Sequence, residues 1–319
     1  MADEDGPRQP LEVLRNAARG GQERFLVALG DGVERPRIAG ALNSEGFVLE
    51  VDSVPEGLAR LADESFDLAI LDLPDGELQS APSARDPLAA WREMRPFTDL
   101  VLIGDGDPTR AGQAFAREVA AVLPKPLPEV DALLRAHIKR LAGFRRARTR
   151  GLLVMNAYSG IKDELAAAAP ELGATLDTLV KESKRDPTII VMGDAQLAEA
   201  AGTQRDDANP DVTVVGLRTT DAPDTRLGEA RARAAGAALV IVDDAPSAER
   251  LAAAIYGGAR AYLPRAQLEL LGRVAAAAAA RRHGEAVGVK IVEALGKHGI
   301  LTSADRGRAP TPSATWTSS

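Results

Sequence analysis

The feature that most narrows the folds open to this chain is a strict alternation of two kinds of segment. Apolar runs of strand length are separated by Ala/Leu/Arg/Glu stretches of helical character, and the connections between them are short. RFLVALGD (Arg24–Asp31), FVLEVDS, FDLAILDL, DLVLIGDGD and AAVLPKP read as strands. IAGALNSEG, closed by Gly46 as a C′ glycine, then VPEGLARLADES, DPLAAWREMRPF, TRAGQAFAREV and LPEVDALLRAHIKRLAGF read as helices. Such an order means βαβ units and a parallel sheet. Strands that are apolar along their whole length fit a sheet covered by helices on both faces.

The pattern then recurs. PTIIVMGD, PDVTVVGL, AALVIVDD and ARAYLPR read as strands, alternating with the helical AQLAEAAG, TRLGEARARAAG, SAERLAAAIYGG and AQLELLGRVAAAAAARR. AVLPKPL at 121–127 is echoed by AYLPRAQ at 261–267, each between the last strand and last helix of its half, which points to a tandem duplication. The stretch between the halves has two readings. In the preferred one, Gly151–Ala157 is the first strand of a second five-stranded sheet, followed by a helical region to about Ser183. In the other, residues 129–185 form a helical hairpin able to dimerise through its Leu, Ile and Val face, and a truncated second sheet starts at Thr188. The expected organisation is a disordered tail (1–22), a first α/β domain (23–144), a basic linker, RRARTR (145–150), a second α/β domain (151–285), a short helix (286–302) and a disordered tail carrying Trp316 (303–319). The linker arginines are expected as a solvated helix end that complements the macrodipole.

Composition removes several classes of function. With 319 residues and 45% hydrophobic content, two packed cores are attainable, and with 3% aromatics they must be built from Ala, Val, Leu and Ile. A net charge of −7 gains nothing from phosphate counterion release, so nucleic acid is not expected as a partner. The absence of cysteine rules out disulfides, thiolate nucleophiles and Cys-type zinc sites. His137, His283 and His298 show no ligand spacing. The acidic start MADEDGPRQP has no signal-peptide pattern, and no apolar run approaches the ~20 residues of a membrane span, so a cytoplasmic protein is expected.

In open parallel sheets function collects at the carboxyl ends of the strands. Read there, residues 23–142 resemble the receiver domains of two-component response regulators. The resemblance implies a flavodoxin-like fold, with an acidic pair for Mg²⁺ after the first strand, a phosphoacceptor aspartate after the third, a Thr or Ser ending the fourth and Lys-Pro ending the fifth. Asp72 falls at the acceptor position, and Lys125, followed by Pro126, at the lysine position. The acidic pair falls on Leu29 and Gly30, with Asp31 one place late, and the hydroxyl position falls on Gly104. In residues 151–282 the resemblance puts Asn156 at the end of the first strand, Gly216 at the acceptor, Asp243 at the hydroxyl and Arg265 at the lysine position. Asp243 and Asp244 point to opposite faces of a strand, and are expected to cap the helix starting near Ser247 rather than to hold a metal.

These departures set the functional expectation. Two like-charged carboxylates need a cation between them, and phosphoryl transfer needs charge neutralisation, so a chain without the acidic pair is expected to hold no Mg²⁺ or other cofactor. The expected protein is a non-catalytic signalling scaffold of two degenerate receivers that binds other signalling proteins independently of phosphorylation. By resemblance its partner or homodimer surfaces are Arg110–Phe115, Lys125–Leu133 and Ile255–Tyr262. The alternatives are a response regulator phosphorylated on Asp72, or a ligand-binding or enzymatic flavodoxin-like protein. GDGDPT (Gly104–Thr109) is too short for a phosphate-binding fingerprint.

Overall fold

A computed structural model describes residues 9–73, 88, 97–202, 210–233 and 236–302. The expected helix DPLAAWREMRPF, apart from Leu88 and Phe97, and the whole 303–319 segment with Trp316 lie outside the described residues. The chain divides into two compact units: a sheet unit of Gln22–Leu141 with Pro187–Arg282, and a helical unit that includes Ala142–Asp186 and the described residues on either side of the sheet segments.

The sheet unit holds two parallel sheets. In the first, β1 (Arg24–Ala28), β2 (Phe47–Val51), β3 (Leu68–Asp72), β4 (Asp99–Gly104) and β5 (Ala121–Pro124) lie in the order β2-β1-β3-β4-β5. This is the doubly wound order of the flavodoxin-like class, as expected. Phe25–Ala28, Ala69–Leu71 and Val101–Leu102 are fully buried, which explains runs with no polar alternation. Several of the helices that follow the strands start on polar caps. Ser53 caps α2 of this sheet's second crossover, Val54–Asp63, once the first helix, α1 (Glu34–Leu42), has closed. Asp107 caps α3 (Pro108–Phe115), whose Pro108 gives up an N–H that would have no partner. Gly46 has a different role from the expected left-handed cap. A Cβ there would stand 2.3 Å from the Glu23 carbonyl oxygen, so the glycine lets the chain pass close enough for Phe47 N–H to bond that oxygen at 2.9 Å.

Among the described residues the second sheet has four strands, not five. They are β6 (Ile189–Met192), β7 (Val212–Leu217), β8 (Ala238–Asp243) and β9 (Ala261–Pro264), in that order. The helices α4 (Ala195–Ala201), α5 (Pro223–Arg233) and α6 (Ala248–Tyr256) connect them. The strand expected at Gly151–Ala157 is helical. It lies inside α7, which runs from Asp131 to Ala168 with one break at Ile161. A short apolar run cannot be told from a buried helical segment by periodicity, and Leu, Met and Ala after an Arg/Ala stretch favour helix. The basic segment 145–150 is likewise helical, and Arg145 and Arg146 are buried rather than solvated. The truncated sheet, starting beside Thr188, is therefore the reading that the structure supports.

Two of the surfaces expected to meet partners meet each other inside this unit. The face of α3 packs on β9, and α6 packs on β5. Tyr256 OH donates to the Pro124 carbonyl at 2.7 Å, and Gln267 Nε2 donates to the Thr109 carbonyl at 3.0 Å. From the third surface, Val130 and Leu133 stay exposed.

The helical unit is built from α8 (Gln9–Arg19), the part of α7 after Ala142, α9 (Pro170–Ser183) and the later part of α10 (Leu271–Lys297). Residues 9–19, expected in a disordered tail, place Leu14 and Ala18 in the core, and the expected short helix at 286–302 is the continuation of α10. Val154, Leu165, Leu172, Leu176, Val287 and Ile291 share that core, so part of the apolar face expected to dimerise is buried here, while Leu152 and Leu153 stay exposed. The α7 and α10 backbones touch at glycines. A Cβ on Gly288 would lie 2.0 Å from the Ala147 carbonyl oxygen. Among the described residues, no helix is long and apolar enough to cross a membrane.

Candidate functional site

The carboxyl edge of the first sheet brings Asp72 and Lys125 together. Asp72 is the last residue of β3 and registers with Ile103, while Gly104 registers with Pro124, so the residue after β5 reaches across β4. Lys125 Nζ lies 3.3 Å from Asp72 Oδ1. The other carboxylate oxygen, Oδ2, accepts the Gly30 N–H at 2.9 Å. Both side chains keep partial solvent contact, so the pair contributes at most about 1 kcal/mol to stability. The expected juxtaposition of acceptor and lysine is present.

Leu29 is buried, and its carbonyl oxygen accepts from Arg35 Nη1 at 3.1 Å. Gly30 presents a donor, not an oxygen. Asp31 turns to the start of α1, where its Oδ1 accepts from Val33 N at 2.8 Å and Glu34 N at 3.2 Å. Those backbone N–H groups, with a smaller contribution from Lys125, hold the Asp31 carboxyl below the ordinary carboxylate range. Mg²⁺ takes about six oxygens in octahedral geometry and is reluctant to lose water. The partners of Asp72 among the described residues are the Lys125 ammonium and the Gly30 N–H, hydrogen-bond donors that do not ligate a cation. Among the described residues, no three His, Asp or Glu side chains are grouped to hold a metal.

The second sheet repeats the register and changes the residues. Gly216 registers with Val242 and Asp243 with Pro264, so Gly216, Asp243 and Arg265 occupy the levels of Asp72, Gly104 and Lys125, as the sequence predicts. Asp243 is fully buried and takes no part in capping α6, which Ser247 caps. It accepts Arg250 Nε at 2.7 Å and Nη2 at 2.8 Å, Tyr262 OH at 2.5 Å and Ala245 N–H at 3.0 Å. The bond to Asp243 raises the Arg250 pKa, and burial raises that of Tyr262, so both remain donors. A buried carboxylate held by a bidentate guanidinium and a phenol is a structural lock.

Asn156 does not belong to this edge. It lies within α7, where its carbonyl oxygen accepts from Ser159 Oγ. Its place is taken by a residue that sequence reasoning missed. Met192 registers with Val215, so Gly193 and Asp194 follow β6 at the levels of Leu29 and Gly30. Asp194 caps α4 through Leu197 N at 3.0 Å and pairs with Arg265 Nη2 at 2.7 Å. The Leu197 N–H first, and Arg265 second, hold its carboxyl below the ordinary range. The terminal aspartate of PTIIVMGD was the available signal, hidden by the expectation of an earlier first strand.

No protein-family model and no curated protein matches the chain. Among solved structures it is similar to HP1043, an orphan response regulator of H. pylori, at 21% identity over 38% of this chain and 97% of that one, with TM-score 0.32. It is similar to a CheY-like receiver domain protein from Methanospirillum hungatei at 22% identity, over 38% and 98%, with TM-score 0.30. It is also similar to NtrX from Brucella abortus in complex with ADP at 17% identity, over 70% and 51%, with TM-score 0.33. The first sheet has the flavodoxin-like strand order, with Asp72 and Lys125 meeting at its carboxyl edge.

Proposed function

We propose that the chain is a non-enzymatic signalling adaptor, made of two degenerate receiver halves, that binds other proteins without being phosphorylated. The observation that carries this reading is the occupation of Asp72. One oxygen is bonded to Gly30 N–H and the other faces Lys125, while Leu29 and Gly30 stand where a cation would need carboxylates. Without a metal, the charge that builds on a transferring phosphoryl group has only Lys125 to meet it. Direct packing of the halves supports a single signalling body: Pro124, next to Lys125, accepts the Tyr256 hydroxyl. Val130 and Leu133, 56% and 53% exposed, are apolar anchors for a partner.

The surviving Asp72–Lys125 pair favours one second reading, phosphoryl acceptance on Asp72. Incubating the full chain with acetyl phosphate and Mg²⁺, and following the intact mass, separates the two. The adaptor reading expects no added phosphoryl group in either the native chain or Asp72→Asn. A Mg²⁺-dependent adduct on the native chain that disappears in Asp72→Asn would overturn it.

A further inference from the structure

The second sheet carries a cavity that the adaptor reading does not use. It holds about 360 Å³, within the range of small-molecule sites, and opens beside the carboxyl ends of β6 and β7. Its walls include four arginines, Arg218, Arg226, Arg233 and Arg265, against two aspartates, Asp194 and Asp244. This is a local excess of positive charge on a chain whose net charge is −7.

The four guanidinium groups are not equally satisfied. Arg265 pairs with Asp194 at 2.7 Å and with Asp244 at 3.6 Å. Arg226 Nη1 pairs with Glu229 at 2.6 Å, but its Nε is buried without a hydrogen-bond partner, 3.7 Å from Asp221. Arg218 and Arg233 are exposed, and their side chains pair with no carboxylate among the described residues. The Arg218 backbone, however, is fixed: its N–H donates to Asp221 and its carbonyl accepts from Arg250. One free guanidinium therefore projects from a rigid base.

Two features of the first sheet are missing at this cavity. Gly216 stands at the level of Asp72, so no carboxylate occupies the edge, and Leu197 packs over Gly216 and Gly193, where a Cβ would stand 2.8 and 2.4 Å from its Cδ1. In addition, among the described residues β6 is an edge strand without a counterpart of β2, and Val191 and Met192 line the opening half-buried. We propose that this cavity binds a small phosphate-bearing anion, gripped by Arg218 and Arg233 and bounded by Arg226 and Arg265. Guanidinium is the side chain suited to this ligand, because its planar fork bonds phosphate oxygens two at a time.

The test is isothermal titration of the full chain with inorganic pyrophosphate, with citrate as a parallel arm. The expected result is saturable pyrophosphate binding with Kd below about 1 mM, weakened at least about tenfold in Arg218→Ala/Arg233→Ala. Binding should weaken with added salt and stay unchanged in Asp72→Asn, which separates this site from the first sheet. Both arginines are exposed, so the double variant is expected to keep the native circular dichroism; if it does not, Arg218→Lys/Arg233→Lys keeps the charge while removing the fork, and should still weaken binding. No saturable heat up to about 10 mM pyrophosphate overturns the proposal, as does binding indifferent to both double variants. Citrate bound as tightly as pyrophosphate overturns the assignment to phosphate.

Discussion

At the amino edge of the first sheet, Asp67 accepts the Arg24 N–H at 2.6 Å, tying the start of β1 to the start of β3. At the amino edge of the second, Asp211 accepts the Thr188 N–H at 2.9 Å and does the same for β6 and β7. The backbone bonds there repeat as well: Asp67 N–H to the Arg24 carbonyl is matched by Asp211 N–H to that of Thr188. At the carboxyl edges the matched levels carry Asp72 against Gly216, Gly104 against Asp243, and Lys125 against Arg265. The difference teaches which end of such a sheet the fold itself requires. In both halves the amino-edge aspartate binds a backbone N–H at the start of a strand, a role in the fold itself. The carboxyl edge carries side chains that the fold can spare, and the two halves fill it with a half-exposed ion pair in one case and a buried lock in the other.

The largest effect that would sharpen this contrast comes from Asp243→Ala. It strands Arg250 and Tyr262 and should cost about 3–5 kcal/mol, whereas Asp72→Ala should cost no more than about 1 kcal/mol. Urea denaturation of both variants decides, and equal costs would erase the distinction between the edges.

Next in size is a pH effect near the seam between the sheets. His137 is buried, its Nδ1 accepts from Arg140 at 3.1 Å, and its ring meets Tyr256 edge-on at 5.9 Å. Burial, with Arg140 and Arg260 nearby, pushes its pKa down from 6.5 to about 3. The folded pKa is below the unfolded one, so the unfolded chain binds the extra proton. Stability is then fully present above pH 6.5 and is lost as pH falls toward 3. The loss at pH 5 should be about 2 kcal/mol. His137→Gln should flatten the slope between pH 5 and 7, and a slope unchanged in that variant would place the titration elsewhere.

A smaller effect would come from adding a second carboxylate at the first edge. A Cβ on Gly30 would meet only Asp72 Oδ2 at 3.8 Å and the Asp52 carbonyl at 3.9 Å, so Gly30→Asp has room. The new carboxylate beside Asp72 should create a Mg²⁺-dependent stabilisation of about 1.4 kcal/mol at ten times Kd, absent from the native chain. Thermal melts with and without Mg²⁺ would read it, and a native chain stabilised equally would contradict the misfit of Mg²⁺ described above. The smallest is Tyr256→Phe. Losing the bond to the Pro124 carbonyl should cost about 1 kcal/mol, and no change in denaturation midpoint would mean that this contact does not help to hold the halves together.

Much of this architecture was legible in the amino acids. Alternation located the nine strands among the described residues, because a buried parallel strand is apolar throughout. The pairing of Asp72 with Lys125, and the levels of Gly216, Asp243 and Arg265, followed from the resemblance to receiver domains. Residues 151–186 misled, because an apolar run that is buried on a helix reads like a strand, and the consequence was to assign Asn156 to an edge that Asp194 occupies. Asp243, too, read as a cap, because a sequence does not reveal that Arg250 and Tyr262 converge on it.

The sequence by itself determined the class of fold and the strand ends where chemistry could sit, since these depend on local pattern and spacing. Only the tertiary structure decided that the last-strand faces of the two halves cover one another, that the helical stretches on either side build a core of their own, and that a cavity walled by arginines opens beside Gly216. Those outcomes depend on which surfaces meet across long sequence separations, and hydrophobic burial, being non-directional, leaves that choice to the packing of the whole chain.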